Sequence, residues 1–435
     1  MKFPLPANLF PPLTLSPEDE RKLADVAEAY VKKTVEEYYE LLTELHGVVD
    51  EKRWKKIKQR GDVRVYKERS AANVVDGETA SNSSSASSND SSDSAEFKGV
   101  VSALLTFGTI QGNLDDVMYG ALNSTTADMQ LKSAYCEDGY VDWAVLVHIV
   151  KPSAANPFRE LSVKWVVKAL VSKLVGAVMR VRDAIYIESI GFAETPNGER
   201  IGYAMRHSVD IPGVGELPAE FKIVRAKVSF THLFRQRKEN CVEVFIRGFI
   251  SPLGDANASL AALTAAETSV ADWQNVHCAE MKKLARMLRS SQQRQANSDS
   301  TSGANSTLSS SSSSGVDAAM LVSGSGSTSE LVSSSSSPLK PGVCSLCTKS
   351  VGGGLFSGSK TKKCRICSAS VCPHCRVKKI LFLPTLQEKV LDPASLTFCT
   401  RCVIRASNTN STHFATLDAR EAEGEIVDYL DALEK

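Results

Sequence analysis

The sequence lacks long apolar runs. None of its segments approaches the about 18–20 consecutive apolar residues that a membrane-spanning helix needs. Its first 17 residues hold five prolines and no apolar stretch of the length found in secretory signal peptides. We therefore expect a cytoplasmic protein whose thiols stay reduced. In that setting paired cysteines indicate metal ligands rather than disulfides.

The sequence also lacks the motifs of the common enzyme classes. It contains no glycine loop of the P-loop or dinucleotide-binding type. Three histidines stand on predicted strands without a recognisable nucleophile or acid partner: His148, His207 and His232. Three cysteines fall within apolar strand or helix patterns and are assigned to the core: Cys136, Cys241 and Cys278. We expect a binding protein rather than an enzyme, with no catalytic residues.

The overall charge has little bias, because 51 basic and 50 acidic side chains leave a net charge of +1. The 435 residues are too many for one typical domain, and a hydrophobic content of 43% can support a sizeable core. Serine dominates two segments, residues 78–96 and residues 291–337; in the second, 19 of the 40 residues from Ser298 to Ser337 are serine. Such segments bury too little apolar surface to offset the entropy of ordering, so we predict disorder in both.

These segments divide the chain into predicted parts. An N-terminal extension (1–15) precedes a first domain (16–290), into which the serine-rich segment 78–96 is inserted. A flexible linker (291–337) then leads to a small cysteine-rich domain (338–406), and an acidic tail (407–435) follows. In the tail, one face of a short helix is predicted from four apolar residues: Ile426, Tyr429, Leu430 and Leu433.

The first domain is predicted to begin with a helix and continue mainly as strands. Ser16 is suited to cap that helix, with Pro17 in the first turn and Asp19 three residues after the cap. Alternating apolar residues then predict a strand over 62–67 and seven further strands. Those seven are 99–109, 143–150, 161–169, 185–192, 201–208, 227–235 and 242–250. A short helix over 114–122 interrupts them.

A long amphipathic helix over 260–288 is predicted to close this domain. Its apolar stripe includes Trp273, which we assign to core packing. A helix, an antiparallel sheet and a long closing helix together predict an α+β domain in which the last helix packs across the sheet.

This order of elements resembles the START family of lipid-transfer proteins. The resemblance covers roughly residues 18–290 and is carried by Trp54 through the strand 61–66, by the strand entry at Arg182–Ile185, and by the alanine-rich last helix with Trp273. It implies a helix-grip fold, in which a curved antiparallel sheet and the last helix enclose an apolar cavity for one lipid or sterol. An apolar cavity also agrees with the general character of small-ligand sites.

The strongest motif is a set of four C-x2-C pairs within about 60 residues. They are Cys344 with Cys347, Cys364 with Cys367, Cys372 with Cys375, and Cys399 with Cys402. Four thiolates satisfy one tetrahedral Zn²⁺, so the eight predict two structural zinc ions without an open catalytic position. His374, between the two cysteines of the third pair, is not expected to be a ligand.

Only four residues separate the second and third pairs, which favours interleaved sites over two consecutive fingers. We therefore predict that the first pair shares one ion with the third, and the second shares the other ion with the fourth. This cross-brace arrangement and the all-cysteine ligand set closely resemble the FYVE family over about residues 340–405. A RING domain, and with it a ubiquitin ligase, is less similar because its ligands usually include a histidine.

The FYVE resemblance implies docking on endosomal membranes that contain phosphatidylinositol 3-phosphate. The basic motif that would bind the headgroup or another anionic lipid corresponds here to Lys360, Lys362, Lys363 and Arg365. Two lysines replace the histidine pair of the family, and the usual tryptophan and aspartate before the first cysteine are absent. Leu355 and Phe356 lie in the loop that the resemblance assigns to membrane insertion.

Charge supports an anionic target for this domain. Residues 340–405 contain 12 basic and two acidic residues, a local net charge of +10. Near an anionic bilayer each close Lys or Arg contributes about 1 kcal/mol. The main alternative is a protein-interaction adaptor, in which the zinc domain binds a small GTPase or another protein. Nucleic acid is not expected as a partner, because this stretch has few aromatic residues for base stacking.

Overall fold

The computed structural model describes residues 3–6, 9–69, 102–169, 181–251, 253, 258–304, 343–350, 361–385 and 390–432. The chain forms two compact units. Unit 1 comprises Met1–Lys283, Phe382–Pro393 and Thr409–Val427; unit 2 comprises Leu284–Leu381, Ala394–Asn408 and Asp428–Lys435. The serine-rich segment 78–96 lies outside the described residues, as does the part of the predicted linker after 304.

Helix α1 opens unit 1 and spans Pro17–Thr43. Its predicted start is confirmed, because the Ser16 side chain accepts a hydrogen bond from the Asp19 backbone N–H at 3.1 Å. The carboxylate of Asp19 in turn accepts from the Ser16 hydroxyl at 2.7 Å. One face of the helix is buried through residues that include Val31, Tyr38 and Leu41.

Ten strands form one large sheet in unit 1. They are β1 (Trp54–Arg60), β2 (Val63–Glu68), β3 (Ser102–Ile110), β4 (Tyr140–Val150), β5 (Glu160–Lys168), β6 (Arg182–Glu194), β7 (Arg200–Ser208), β8 (Val224–Arg225), β9 (Lys227–Lys238) and β10 (Cys241–Ser251). The order is β1-β2-β3-β10-β9-β7-β6-β5-β4, with β8 parallel to β6 and every other neighbouring pair antiparallel. The predicted antiparallel sheet and its strands are confirmed.

The two faces of this sheet have different partners, because alternate side chains of a strand point to opposite sides. On one face, side chains such as Val163, Ile187 and Met205 join the main hydrophobic cluster with Val31 and Tyr38 of α1. On the other face, Val65 and Leu104 pack against alanines of the helix Ala258–Ala271. We call this second side the cavity face.

Helices cover the cavity face. They are α2 (Leu114–Ala121), α3 (Thr126–Cys136) and α4 (Ala258–Ala271), and the helix α5 (Asn275–Ala304) follows α4 in the chain. The closing helix is therefore not continuous, since a 3₁₀ turn at Asp272–Gln274 separates α4 from α5. At that junction a Cβ on Gly120 of α2 would lie 1.9 Å from the carbonyl oxygen of Asn275, so only glycine permits this close approach.

The segment that the sequence predicts as an acidic tail contributes a helix to unit 1. This helix, α7 (Ser411–Ala422), is anchored to α2 by hydrogen bonds. Ser411 Oγ donates to Asp116 at 2.6 Å, and Tyr119 Oη donates to Asp418 at 2.8 Å. Phe414 is fully buried beside the Tyr119 ring. The Asp418 carboxylate thus serves as a specific contact rather than as part of a solvated acidic run.

Unit 2 holds the cysteine-rich region and short elements around it. Short strands β11 (Lys362–Lys363) and β12 (Ser370–Val371) pair, and β13 (Arg376–Pro384) pairs with β14 (Leu391–Cys399). Helices α6 (Thr400–Asn408) and α8 (Tyr429–Ala432) follow. Tyr429 and Leu430 of α8 are buried as the predicted apolar face requires, whereas Ile426 is fully exposed and Leu433 lies outside the described residues.

Helix α5 continues 14 residues past Ser290, into the segment predicted to be linker. Specific contacts of unit 2 stabilise this extension. Arg294 donates to Asp428 at 2.6 Å, and Ser290 Oγ accepts from the Tyr429 N–H at 2.9 Å. Among the helices described, none is both long and apolar enough to cross a membrane.

Candidate ligand cavity and metal centres

A cavity lies in unit 1 between α4 and the cavity face of the sheet. The cavity volume is about 90 Å³, whereas one water molecule needs about 10–15 Å³. Strands β4 to β10 supply one wall, and α4 supplies the other through Ala261, Thr264, Ala265, Thr268 and Ser269.

The cavity wall is mostly apolar. The sheet contributes aliphatic and aromatic side chains, namely Val166, Ala184, Tyr186, Ala226, Val228, Phe230 and Ile250. On the opposite wall α4 presents the methyl groups of Ala261 and Ala265. Because these side chains are short, they leave space that leucine or phenylalanine would fill. The wall can therefore accommodate an apolar ligand.

Cationic groups interrupt this apolar lining. Lys168 at the end of β5, Arg182 at the start of β6 and Arg206 on β7 all border the cavity. Sequence reasoning missed all three as ligand-site candidates, although it placed each of them on a strand or at a strand entry. Their position in the strands could have indicated this role, because these even-numbered residues share a face of the sheet with Val166 and Ala184.

A buried ionic network lies on the same face. The Lys164 ammonium is 2.8 Å from the Glu160 carboxylate and 2.5 Å from that of Glu188, and all three side chains are fully buried. Glu188 also pairs with Arg206 at 2.6 Å. Burial alone raises the pKa of Glu188, but Lys164 and Arg206 outweigh it and hold this pKa well below its usual range. The network therefore stays charged at neutral pH and fixes Arg206 at the cavity wall.

Two core assignments from the sequence have different outcomes. Cys136 and Cys278 are buried as predicted, while Cys241 is only half-buried. Trp273 is not core: its side chain is 42% exposed and lies against the Arg60 guanidinium, 4.1 Å from the ring centroid. It stands in the 3₁₀ turn that breaks the predicted helix, so the stripe on which the prediction depended does not continue through it.

The eight cysteines of unit 2 form two clusters, with the pairing predicted from the short gap. One cluster is Cys344, Cys347, Cys372 and Cys375, and the other is Cys364, Cys367, Cys399 and Cys402. Within each cluster the four Sγ atoms lie within 4.8 Å of one another. His374 belongs to neither cluster.

The sulfur spacing fits zinc. A tetrahedral Zn²⁺ with Zn–S distances of about 2.3 Å separates its sulfur ligands by roughly 3.8 Å. The Sγ atoms of Cys347 and Cys372 are 3.8 Å apart, and those of Cys367 and Cys399 are 3.7 Å apart. A disulfide would need about 2.05 Å. Each cluster can therefore hold one metal ion with all-thiolate coordination.

The first two cysteine pairs adopt the same turn. In the first, the Cys344 N–H donates to the Lys349 carbonyl at 3.0 Å and the Cys344 carbonyl accepts from Thr348 at 2.9 Å. In the second, Cys364 and Ser368 repeat this pattern. Thr348 and Ser368 both adopt left-handed φ values, 57° and 56°. Both residues therefore have a backbone conformation that glycine favours.

Helix α5 supports the second cluster within unit 2. Ser291 Oγ donates to the carbonyl of Ile366 at 2.6 Å, and both residues are buried. Ile366 lies between the ligands Cys364 and Cys367, so this bond fixes their turn to the helix. This contact could not be predicted from composition, because the serine-rich segment from residue 291 indicated a linker.

The residues predicted to bind anionic lipid are partly described. Lys362 and Lys363 form β11 directly before Cys364, and Arg365 follows that cysteine; all three are exposed. Lys360, Leu355 and Phe356 lie outside the described residues. The described part of the motif therefore presents three cations to solvent beside one cysteine cluster.

Replacing Lys164 with methionine should destabilise unit 1 by about 3–5 kcal/mol, because it leaves buried carboxylates without their partner. Denaturant unfolding of the full chain at pH 7, followed by tryptophan fluorescence, measures this. Lys55→Met on the exposed edge of β1 is the control and should change stability by less than about 0.5 kcal/mol. A loss below about 1 kcal/mol in Lys164→Met would contradict the paired network.

Removing one ligand from either cluster should halve the metal content. Cys347→Ser and Cys367→Ser should each retain roughly one zinc ion per chain, where two are expected in the unmodified protein. Elemental mass spectrometry of the purified protein counts the metal. The controls His374→Ala and Cys241→Ser should keep both ions; a loss of zinc in His374→Ala would show that the ligand set is wrong.

Comparison with known proteins yields similarity to solved structures only. The crystal structure of human STARD10 has 13% identity and a TM-score of 0.31, over 60% of this chain and 80% of that chain. Human StAR-related lipid transfer protein 5 has 12% identity and a TM-score of 0.36, over 59% and 95%. The lipid transfer and protein localization domain of human StarD13 (DLC2) has 13% identity and a TM-score of 0.32, over 54% and 95%. No family model matches the chain, and no curated protein matches it. At these identities and TM-scores, the chain's own residues must carry any functional conclusion.

Proposed function

We propose that this chain is a non-enzymatic lipid-binding protein. Unit 1 holds one lipid or sterol in the cavity beside α4, and the zinc-stabilised unit 2 docks on anionic membranes. The single observation that carries the proposal is the lining of the cavity, which is mostly apolar with a few polar groups.

The apolar wall favours a lipid over a polar metabolite. Transfer of apolar surface from water into such a cavity is favourable by about 25 cal/mol per Å². A lipid chain or sterol ring has few polar atoms and leaves few unpaired groups against Val166, Val228 and Phe230. A highly hydroxylated ligand would lose its hydration without matching partners there.

Membrane docking is proposed from the charge of unit 2. Lys362, Lys363 and Arg365 are exposed, and residues 340–405 carry a net charge of +10. Two closed metal sites would hold these cations on a rigid turn. The FYVE-like arrangement makes phosphatidylinositol 3-phosphate, and with it the endosomal membrane, the first lipid target to test.

Protein interaction is the second candidate function for unit 2. Ile380 on β13 and Ile404 on α6 are each 56% exposed. Exposed aliphatic side chains beside cations suit a protein partner such as a small GTPase as well as a lipid surface. The membrane experiment therefore has to distinguish lipid binding from protein binding by unit 2.

Filling the cavity should abolish lipid binding. Val228→Trp adds an indole to the cavity wall, and overpacking of this kind costs about 1–3 kcal/mol. We expect at least roughly tenfold less co-purified lipid per chain, measured by organic extraction and mass spectrometry.

Val48→Trp is the matched control, because Val48 is 66% exposed and lies outside the cavity lining. It should retain the same lipid content as the unmodified chain. Circular dichroism establishes that both variants fold. Equal lipid content in a folded Val228→Trp protein would place any bound lipid elsewhere.

Removing the three exposed cations should weaken membrane docking. The triple variant Lys362→Ala, Lys363→Ala and Arg365→Ala loses about 3 kcal/mol at an anionic surface, or roughly 100-fold in affinity. Flotation with vesicles containing phosphatidylinositol 3-phosphate, or phosphatidylserine at equal charge, measures this. Binding should also fall as salt rises.

A second triple variant tests whether position or total charge matters. Lys52→Ala, Lys55→Ala and Lys56→Ala remove three exposed cations from unit 1 and should leave flotation unchanged. If the unmodified chain floats with neither vesicle type, membrane docking is wrong. A protein partner whose capture survives the unit 2 triple variant but not zinc chelation would then favour the adaptor function.

A further inference from the structure

Lys168 occupies an unusual position in the cavity wall. It is half-buried at the end of β5, where its Nζ donates to Thr268 Oγ on α4. Nζ also lies 5.2 Å from the ring centroid of Tyr140. Thr268 Oγ donates onward to the carbonyl of Thr264 at 3.2 Å, so the hydroxyl is oriented to accept from the ammonium. Lys168 therefore joins the strand wall to the helix wall at one end of the cavity.

The other buried cations of this face have partners that Lys168 lacks. Arg206 and Lys164 both pair with the Glu188 carboxylate, and Arg182 donates to the Leu253 carbonyl at 3.4 Å. Among the described residues, no carboxylate lies within ion-pair distance of the Lys168 ammonium. An ammonium carries three donors, and the Thr268 hydroxyl uses one of them.

The balance of charge around Lys168 agrees with this geometry. Burial lowers its pKa to about 8, and the more distant Asp138 and Glu267 only partly oppose that effect. Arg206 lowers the pKa further. A cation in such surroundings is incompletely compensated, and an added anion would restore the favourable pairing.

We propose that Lys168 binds the anionic head of a single-chain amphiphile, a carboxylate or a phosphate monoester, whose apolar part fills the cavity. This inference rests on the proposed lipid-binding function and adds the chemical class of the head group. The two remaining ammonium donors reach the head-group oxygens, while Thr268 holds the side chain in place. Charge-assisted hydrogen bonds of this kind are about twice as strong as neutral ones.

The lining also argues against a zwitterionic head group with a quaternary ammonium. Charge pairing with such a group needs a free carboxylate. Among the described residues that line the cavity, Asp183 is the one carboxylate, and it is already occupied. It accepts from Trp165 Nε1 at 2.9 Å and from Arg225 Nε at 3.0 Å. The cavity thus offers cations but no available anion.

The test compares ligands that differ only at the head group. Oleate is measured against oleyl alcohol, and oleoyl lysophosphatidic acid against monoolein, by displacement of a fluorescent lipid from the full chain at pH 7. We expect each anionic ligand to bind roughly 10- to 100-fold more tightly than its neutral counterpart. The larger of the two preferences distinguishes a carboxylate from a phosphate as the natural head group.

Three variants assign that preference to Lys168. Lys168→Met removes the charge and should reduce the preference to within about twofold, while affinity for the neutral ligands stays unchanged. Thr268→Val keeps the Lys168 charge but removes the hydroxyl that accepts its hydrogen bond, and should reduce the preference by an intermediate amount. Lys55→Met, an exposed lysine of β1, should retain the full preference.

The outcomes separate this inference from the proposed function. If the unmodified chain binds neutral and anionic ligands equally, the role of Lys168 is wrong and lipid binding stands. The same holds if a folded Lys168→Met or Thr268→Val protein keeps the full preference. Failure to bind any of the four ligands would overturn the role of Lys168, whereas the absence of any co-purified lipid would overturn the proposed function.

Discussion

The alanine face of α4 sets the geometry on which the cavity depends. Where Ala262 and Ala266 meet the sheet beside β2 and β3, their small side chains allow close packing with Leu104 and Val65. Ala261 and Ala265 border the cavity, where the facing strands carry Val166 and Ala184, and Ala265 also packs with Leu104. These side chains of the helix and of the strands are too short to contact one another across the cavity. The helix therefore closes one side of the cavity face and leaves the other open to a ligand.

Charge inside this face has to be compensated, because burying an isolated ion costs several kcal/mol. Four side chains compensate one another through ion pairs of 2.5–2.8 Å: Lys164 pairs with Glu160 and Glu188, and Arg206 pairs with Glu188. Their fixed geometry stiffens the wall without offering a free charge. Lys168, only a few residues along β5, has a hydroxyl as its hydrogen-bond partner instead. The contrast between these two lysines is the basis for assigning an anionic head group.

Local chemistry made several features predictable from the sequence. The cap at Ser16 defines the start of α1, and the alternation of apolar residues locates the strands. The four residues between Cys367 and Cys372 favour interleaved metal sites, which the two sulfur clusters match. Each of these signals depends on neighbours in the chain, so no knowledge of the tertiary structure was needed.

Features that depend on distant contacts were not predictable in this way. The break between α4 and α5 coincides with the approach of Gly120 to Asn275, which are far apart in sequence. Helix α7 is stabilised by the hydrogen bond from Tyr119 to Asp418, which is 299 residues away in sequence. Composition alone therefore predicted only an acidic tail there. The cationic lining was missed because strand periodicity identifies which residues share a face but not which charges find partners there.

We propose that one chain binds both two zinc ions in unit 2 and one lipid in unit 1. Native mass spectrometry of the full chain after incubation with mixed lipid vesicles measures both in a single spectrum. We expect a mass that exceeds that of the polypeptide by two zinc ions and one lipid molecule. A folded chain that carries two zinc ions but never a lipid would contradict it.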